Sequence, residues 1–188
     1  MNALQRFDEW LFLLLNGFHA RGFDQLMVAV TSAYAWIPVA AILMYVSINK
    51  LGKNALWLWL FAVVAVVVSD QICWYGFKEV FQRLRPCKET RLLPFIHMLV
   101  GCGGKYGFVS SHAANSFTAA FFLGNILKSH RRWVYPLLIA WACLVSYSRI
   151  YVGKHYPFDV LGGALLGWML AWVFGKLYLA FMNKYAFR

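Results

Sequence analysis

Charge-free, mostly apolar stretches recur along the chain at 25–49, 54–69, 113–127, 133–148 and 160–175. The apolar positions run on in long blocks and not in short strands. Each block approaches the ~20 residues that a helix needs to cross the hydrocarbon core of a bilayer. The pattern predicts five transmembrane helices, near 24–48, 55–77, 110–127, 132–152 and 157–182. The expected fold is an all-α, polytopic membrane helix bundle. No linker, repeat or low-complexity segment interrupts it, so residues 1–188 read as a single membrane-embedded domain.

The N-terminus reads differently. Trp10 to Phe18 is mostly apolar but too short to span, and Asp8 and Glu9 lie just before it. No small-residue cleavage site follows, which argues against a cleaved signal peptide. An interfacial helix is the preferred reading, with a short, tilted sixth span as the alternative.

Composition supports the membrane reading. Of 188 residues, 62% are hydrophobic and 13% charged, where a soluble domain carries about 25% charged residues. The nine Trp and ten Tyr are expected as interface anchors and packing residues. The net charge is +11, from 18 Lys and Arg against seven Asp and Glu. In a soluble protein that excess suggests nucleic acid. Here no nucleic-acid partner is expected, because cytoplasmic loops collect Lys and Arg. Lys50 and Lys53, then Lys128, Arg131 and Arg132, then Lys176, Lys184 and Arg188 form three clusters that alternating spans place on one side. The opposite side is also basic, with Lys78, Arg83, Arg85, Lys88, Arg91, Lys105, Arg149 and Lys154. An anionic ligand explains that second group.

Three motifs fall on this second side. Lys78-Glu-Val-Phe-Gln-Arg-Leu-Arg85-Pro86 closes the second predicted span, and two helical turns would bring Lys78 and Arg85 to one point. Alone, such residues are ordinarily snorkelling anchors. Ser110-Ser111-His112 opens the third span. A hydroxyl there is ordinarily an N-cap, but the free N–H groups of a helix start also cradle anions. Ser148-Arg149, followed by His155-Tyr156-Pro157-Phe158-Asp159, joins the fourth and fifth spans. Pro157 suits a first helical turn, and His155 and Asp159 are four apart at a helix entrance. A carboxylate on one ring nitrogen fixes the tautomer and frees the other nitrogen as a nucleophile. Arg149 offers a bidentate fork for phosphate oxygens. Together the motifs supply cations, hydroxyls, two histidines and a carboxylate, the inventory of phosphoryl transfer through histidine.

In this order and spacing the chain resembles the type 2 phosphatidic acid phosphatase family, which shares its active site with vanadium haloperoxidases. That family's motifs are Lys-x6-Arg-Pro, Pro-Ser-Gly-His and Ser-Arg-x5-His-x3-Asp. The first and third match in full, at Lys78 to Pro86 and Ser148 to Asp159; the second matches in part, at Val109 to His112. The resemblance implies that Lys78, Arg85 and Arg149 bind phosphate, with Ser110 and the Ser111 backbone N–H completing the cradle. It implies that His155 attacks phosphorus, Asp159 orients it, and His112 protonates the leaving oxygen and then activates water. No metal or other cofactor is implied. Val109 in place of Pro relaxes a backbone constraint, and Ser111 in place of Gly adds bulk and a hydroxyl.

The implied function is hydrolysis of a phosphomonoester or diphosphate of a membrane lipid. An undecaprenyl diphosphate-like or phosphatidylglycerophosphate-like substrate ranks first, and lipid A is the alternative. The implied partners are the phosphorylated lipid and the bilayer, and oligomeric state stays open. The implied setting is a bacterial inner membrane, multi-pass, with the site facing the periplasm. A vanadate-dependent haloperoxidase is disfavoured by hydropathy, and a non-catalytic lipid-binding or transport protein by the intact motif residues. Asp70 reads either as a support for the basic cluster or as an interhelical hydrogen bond. Cys87 and Cys102 lie on the side expected to be oxidising. A disulfide between them would close a loop of about 15 residues and tie the Arg85 end of the segment to the approach to Ser110; two free thiols are the alternative.

Overall fold

In a computed structural model, residues 3–185 are described. Arg188, counted above in the last basic cluster, lies outside the described residues. Helices make up the chain in the order α1 (Ala3–Gly17), α2 (Arg21–Thr31), α3 (Trp36–Leu51), α4 (Ala55–Gln71), a single turn α5 (Glu79–Phe81), α6 (Ser111–Leu127), α7 (Val134–Tyr151) and α8 (Pro157–Tyr185). Among the described residues, three continuous helical stretches are long and apolar enough to cross a membrane: Ala33–Phe81, Val134–Tyr151 and Pro157–Tyr185. The first of these folds back on itself. Gly52 adopts φ 53°, and the Trp59 indole donates to the Ser47 hydroxyl at 2.9 Å, so α3 and α4 lie side by side. Along one straight helix those residues would be ~18 Å apart.

Two predicted boundaries move. The span expected at 24–48 is broken at Ser32, whose ψ of 151° is extended. The helix α2 is therefore a separate element, and the spanning segment starts after it. The second span runs past its expected end through a π-helical stretch, Ile72–Lys78, to Phe81.

The helix α6 is the axis of the bundle, packed along α8 and α7 and against α4. Small residues permit its closest approach. A Cβ at Gly163 would lie 2.5 Å from the Ser110 carbonyl oxygen, and one at Gly167 would lie 2.5 Å from that of Ala114. This is the small-xxx-small packing of membrane helices. Leu58, Ala62, Phe122, Leu127, Leu138 and Ala171 fill the core beyond it. Large apolar side chains such as Leu56, Val63, Leu161, Leu165 and Trp168 are exposed on the outer faces, where a bilayer would solvate them and the helices satisfy their own backbone polar groups.

The ends of the bundle differ in chemistry. Leu51, Lys128, His130 and Lys176 border one cavity at the end opposite the motifs, so Lys128 and Lys176 of two predicted basic clusters meet there beside the chain that follows Lys50. At the motif end, α1 lays one stripe against α7 and α8. The stripe is Asp8, Phe12 and Asn16, all fully buried and spaced by four, as one helix face requires. Asn16 donates to the carbonyl oxygens of His97, Ile150 and Tyr151 and accepts from the His97 N–H. The N-terminal segment, read from sequence as an interfacial helix or a short sixth span, is thus a helix docked through this stripe.

The packing generates a test. Gly163→Ala and Gly167→Ala should each destabilise the bundle by about 1–3 kcal/mol through overpacking. Gly175→Ala, with open space around its Cβ, should be neutral or gain up to about 1 kcal/mol of helix propensity. Thermal unfolding in detergent compares the three; equal melting temperatures would reject the close-contact account.

Candidate active site

The first motif is placed by two departures from regular helix. The π-helical stretch widens the end of α4 just before Lys78. Lys78 is buried, and its Nζ donates to the Ser111 hydroxyl at 2.5 Å while lying 5.3 Å from the Trp74 ring. Helix ends at Phe81, and Gln82 turns the chain with φ 46°. Arg85 therefore meets Lys78 by a chain reversal and not across two helical turns as the spacing suggested. Backbone pairing holds the reversal: Gly107 N–H donates to Arg83 O at 2.8 Å and Arg85 N–H to Lys105 O at 3.3 Å.

Loop carbonyls fix the Arg85 side chain. Its Nε donates to Tyr106 O at 3.0 Å and its Nη1 to Cys102 O at 2.9 Å. Cys102 is disulfide-bonded to Cys87, with the Cα atoms 5.9 Å apart. The covalent link thus joins the chain just past Arg85 to one of the carbonyls that hold it. Gly107 is needed beside it, since a Cβ there would come within 2.9 Å of Asp159 Oδ2 and 3.2 Å of Arg85 Cγ.

The second motif begins α6. Ser110 is its N-cap, its side chain accepting from the Ala113 N–H at 3.5 Å, and its own N–H donates to Asp159 O at 2.9 Å. Val109, where the family has Pro, is buried against Cys73 and Ala114. His112, one residue further into α6, borders a cavity of about 380 Å³ with Val30, Trp36, Val66, Asn115 and Val145.

The third motif forms the tight connection between α7 and α8. Gly153 takes φ 79°, and the N–H groups of Lys154 and His155 return to Arg149 O at 3.0 and 3.3 Å. Arg149 is buried; it donates to the Thr31 hydroxyl through Nη1, and its Nε has no protein partner. His155 Nδ1 lies 3.5 Å from Asp159 Oδ2, with both side chains buried. That separation is beyond an ordinary hydrogen bond, although such contacts often tighten only when substrate binds. The other ring nitrogen is left free. Burial first, then the charges of Arg85, Arg149, Lys78 and Lys154, hold the His155 imidazole well below its usual range. The ring is therefore neutral at pH 7, the state a nitrogen nucleophile needs. Burial, then Arg149 and Arg85, also pushes the Lys154 ammonium down to about 8.

The structure thus gathers Lys78, Arg85, Ser110, Ser111, His112, Arg149, His155 and Asp159 at one end of the bundle. It also adds residues that the motifs did not single out. Arg83 bridges Asp159 Oδ1 at 2.9 Å and Asp8 Oδ2 at 2.6 Å. Thr31 anchors Arg149, and Lys154 adds a fourth cation beside His155. Arg83 had a weak signal in its place within the first motif. Asp8 had none beyond a four-residue spacing to Phe12. Asp70 accepts a 3.3 Å hydrogen bond from Asn115 of α6, which is the interhelical of its two readings.

Comparison with known proteins accords with this geometry. The chain is 33% identical over 174 residues to the lipid A 4'-phosphatase of Bacteroides thetaiotaomicron, covering 91% of this chain and 76% of that one. It is 33% identical over 164 residues to the undecaprenyl-diphosphatase of Sulfolobus acidocaldarius, covering 86% and 73%. In fold it matches the transmembrane PAP2-type phosphatidylglycerolphosphate phosphatase of Bacillus subtilis, with a TM-score of 0.73 at 22% identity over all of this chain and 90% of the other. It also matches LpxE of Aquifex aeolicus, with a TM-score of 0.63 at 23% identity over 88% and 93%. Residues 59–183, which contain all three motifs, match the PAP2 superfamily, and the chain belongs to that family.

Proposed function

We propose that the chain is a membrane lipid phosphatase that works through a phosphohistidine on His155. The observation that carries this reading is the convergence of Lys78, Arg85 and Arg149 around a neutral, buried imidazole whose Nδ1 faces a carboxylate. The three cations bind and neutralise the transferring phosphoryl group, with the start of α6 at Ser110 and Ser111 completing the cradle. The Nε2 lone pair of His155 forms a bond to phosphorus as the bond to the leaving oxygen breaks. His112 gives its proton to that oxygen. Water then attacks the phosphohistidine and passes a proton to His112, the N–P bond breaks, and inorganic phosphate leaves.

The cavity beside His112 favours a lipid. It is lined mainly by apolar side chains of membrane-embedded helices, so a leaving group at His112 can continue into hydrocarbon. Likeness to the Bacteroides lipid A 4'-phosphatase over 91% of the chain favours a phosphorylated lipid A. Undecaprenyl diphosphate is the second reading, supported by the Sulfolobus relative. In either case the charge that a divalent metal would supply is already present as Lys78, Arg85 and Arg149.

Phosphate release from purified lipid A, undecaprenyl diphosphate and phosphatidylglycerophosphate in detergent tests the proposal. His155→Ala should abolish turnover and leave the melting temperature unchanged. A chelator should not lower the rate, and vanadate should inhibit. Near-normal release by His155→Ala would reject the mechanism, and a chelator-induced loss restored by Mg²⁺ would reject metal independence.

Lys154 generates a pH prediction. Its ammonium is charged below about 8 and loses its proton as pH rises through that value. Since kcat/KM reports the free enzyme, kcat/KM should fall across that range as a phosphate-neutralising charge is lost. Lys154→Met should be slower at neutral pH and lack this alkaline limb. An unchanged limb in the variant would assign it to another group.

The proposed orientation places the site toward the periplasm of a bacterial inner membrane. It rests on the basic residues at the opposite end of the bundle and on the disulfide beside the site. Impermeant thiol labelling of Lys105→Cys, and not of Lys53→Cys, from outside intact spheroplasts is the expected outcome. The reverse pattern inverts the topology.

A further inference from the structure

Two fully buried carboxylates, Asp8 on α1 and Asp159 on α8, share one guanidinium. Arg83 Nη2 donates to Asp8 Oδ2 at 2.6 Å and Nη1 to Asp159 Oδ1 at 2.9 Å. Its planar fork lies 4.2 Å from the centre of the Tyr156 ring, a residue that sits between His155 and Asp159 in sequence. Asp8 makes a second tie: its Oδ1 accepts from the Phe158 N–H at 2.9 Å. That N–H is in the first turn of α8, where helix geometry provides no partner. The remaining oxygen of Asp159, Oδ2, accepts from the Tyr156 N–H at 3.0 Å and is the one nearest His155.

Every oxygen of this carboxylate pair is therefore assigned, and only Asp159 Oδ2 faces the reacting histidine. An aspartate at the first turn of a helix has rotamer freedom that would let either oxygen, or neither, meet the ring. Arg83 removes that freedom by holding Oδ1, and Asp8 holds Arg83. We propose that Arg83 and Asp8 are positioning residues for phosphoryl transfer: Asp8, carried by the N-terminal helix, fixes Arg83, and Arg83 locks the Asp159 carboxylate in the orientation that presents its other oxygen to His155. The helix α1 is then part of the reaction machinery and not only a support at the membrane surface. A lysine could not replace Arg83 in full, because a point charge lacks the rigid fork that serves two carboxylates at once. Asp8 also supplies the negative charge that keeps Arg83 from being held by Asp159 alone. These two residues leave the phosphate ligands untouched, since Lys78, Arg85 and Arg149 bond to other groups.

The inference rests on His155 as nucleophile, and the experiment separates the two claims. Steady-state phosphate release and competitive inhibition by inorganic phosphate are measured for Asp8→Asn, Arg83→Gln, Arg83→Lys, the double variant Asp8→Asn/Arg83→Gln and His155→Ala. Misplacing a catalytic group costs up to about 100-fold. Arg83→Gln should accordingly lower kcat by about 10- to 100-fold, and Asp8→Asn by about 10-fold. The inhibition constant for inorganic phosphate should stay within about two-fold in both, because the cation cradle is intact. The double variant should be no slower than Arg83→Gln, because Asp8 acts through Arg83. Arg83→Lys should recover part of the loss and keeps the test open should Arg83→Gln fail to purify. A loss of phosphate affinity that parallels the loss of kcat, or multiplicative effects in the double variant, would overturn the positioning role. So would wild-type kcat in Arg83→Lys and Asp8→Asn. If His155→Ala itself retained activity, the nucleophile assignment would fail instead.

Discussion

Direct backbone contact between α6 and α8 is the constraint on which the site depends. At Gly163 and Gly167 the two helices approach until no Cβ would fit between them. Only at that distance can the Ser110 N–H reach the Asp159 carbonyl oxygen at 2.9 Å. The bond joins the start of α6, which carries Ser110, Ser111 and His112, to the first turn of α8, which follows His155. The second and third motifs are thus held together through main chain and not through their catalytic side chains. Those side chains are left free for ligand and chemistry. The first motif is then drawn in by a different device, the chain reversal at Gln82 and the pairing of Arg83 and Arg85 with Gly107 and Lys105.

Concentrating cations at one buried place is unfavourable in itself, and the structure distributes that cost. Lys78 gives a proton donor to Ser111, Arg149 to Thr31, and Arg85 to two loop carbonyls. These partners are neutral. They take up part of the hydrogen-bonding capacity without bringing negative charge, so the field at His155 stays positive. The carboxylates Asp8 and Asp159 share a different cation, Arg83. A neutral nucleophile beside an uncancelled positive field is what attack on a phosphate anion requires, because both binding and the developing charge on the transferring group are stabilised by the same cations.

The sequence was most informative where function is local. Lys78, Arg85, Ser110, His112, Arg149, His155 and Asp159 lie in short motifs whose spacing is constrained by chemistry, and the structure brings them to one end of the bundle. The uncharged blocks also foretold the bundle, because a bilayer leaves few alternatives to helix. What the pattern could not reveal depends on long-range contact. Asp8 is 75 residues from Arg83, its partner in the ion pair, and nothing in its surroundings distinguishes it from a surface acid on an amphipathic helix. Asn16 is similar, its three carbonyl partners lying at His97, Ile150 and Tyr151. The break at Ser32 was hidden for another reason: no charge interrupts residues 25–49, and the short polar step Thr31-Ser32 does not by itself mark a helix end. Arg85 shows the limit of periodicity, since the right residue meets the right partner through a loop and not along a helix.

The two histidines occupy environments that suit the different roles proposed for them. His155 is enclosed by Asp159 and the cations, and its side chain is almost wholly buried. His112 instead borders the apolar cavity between the membrane helices. A group that must pass a proton to a leaving lipid oxygen has to share space with the lipid, whereas a group that forms a covalent bond to phosphorus gains from being held rigidly and kept from competing partners. Exchanging the roles would put the nucleophile in the cavity without a carboxylate on its ring and the acid where no leaving group can reach it. In the proposed mechanism the place each ring occupies then sets the direction of the reaction: phosphorus toward α8 and its carboxylate, the lipid toward the cavity at α6. The same arrangement explains why the site stands at the end of a bundle and not within it. The charged half of the substrate needs the polar loops above the helices, and the apolar half needs the space between them.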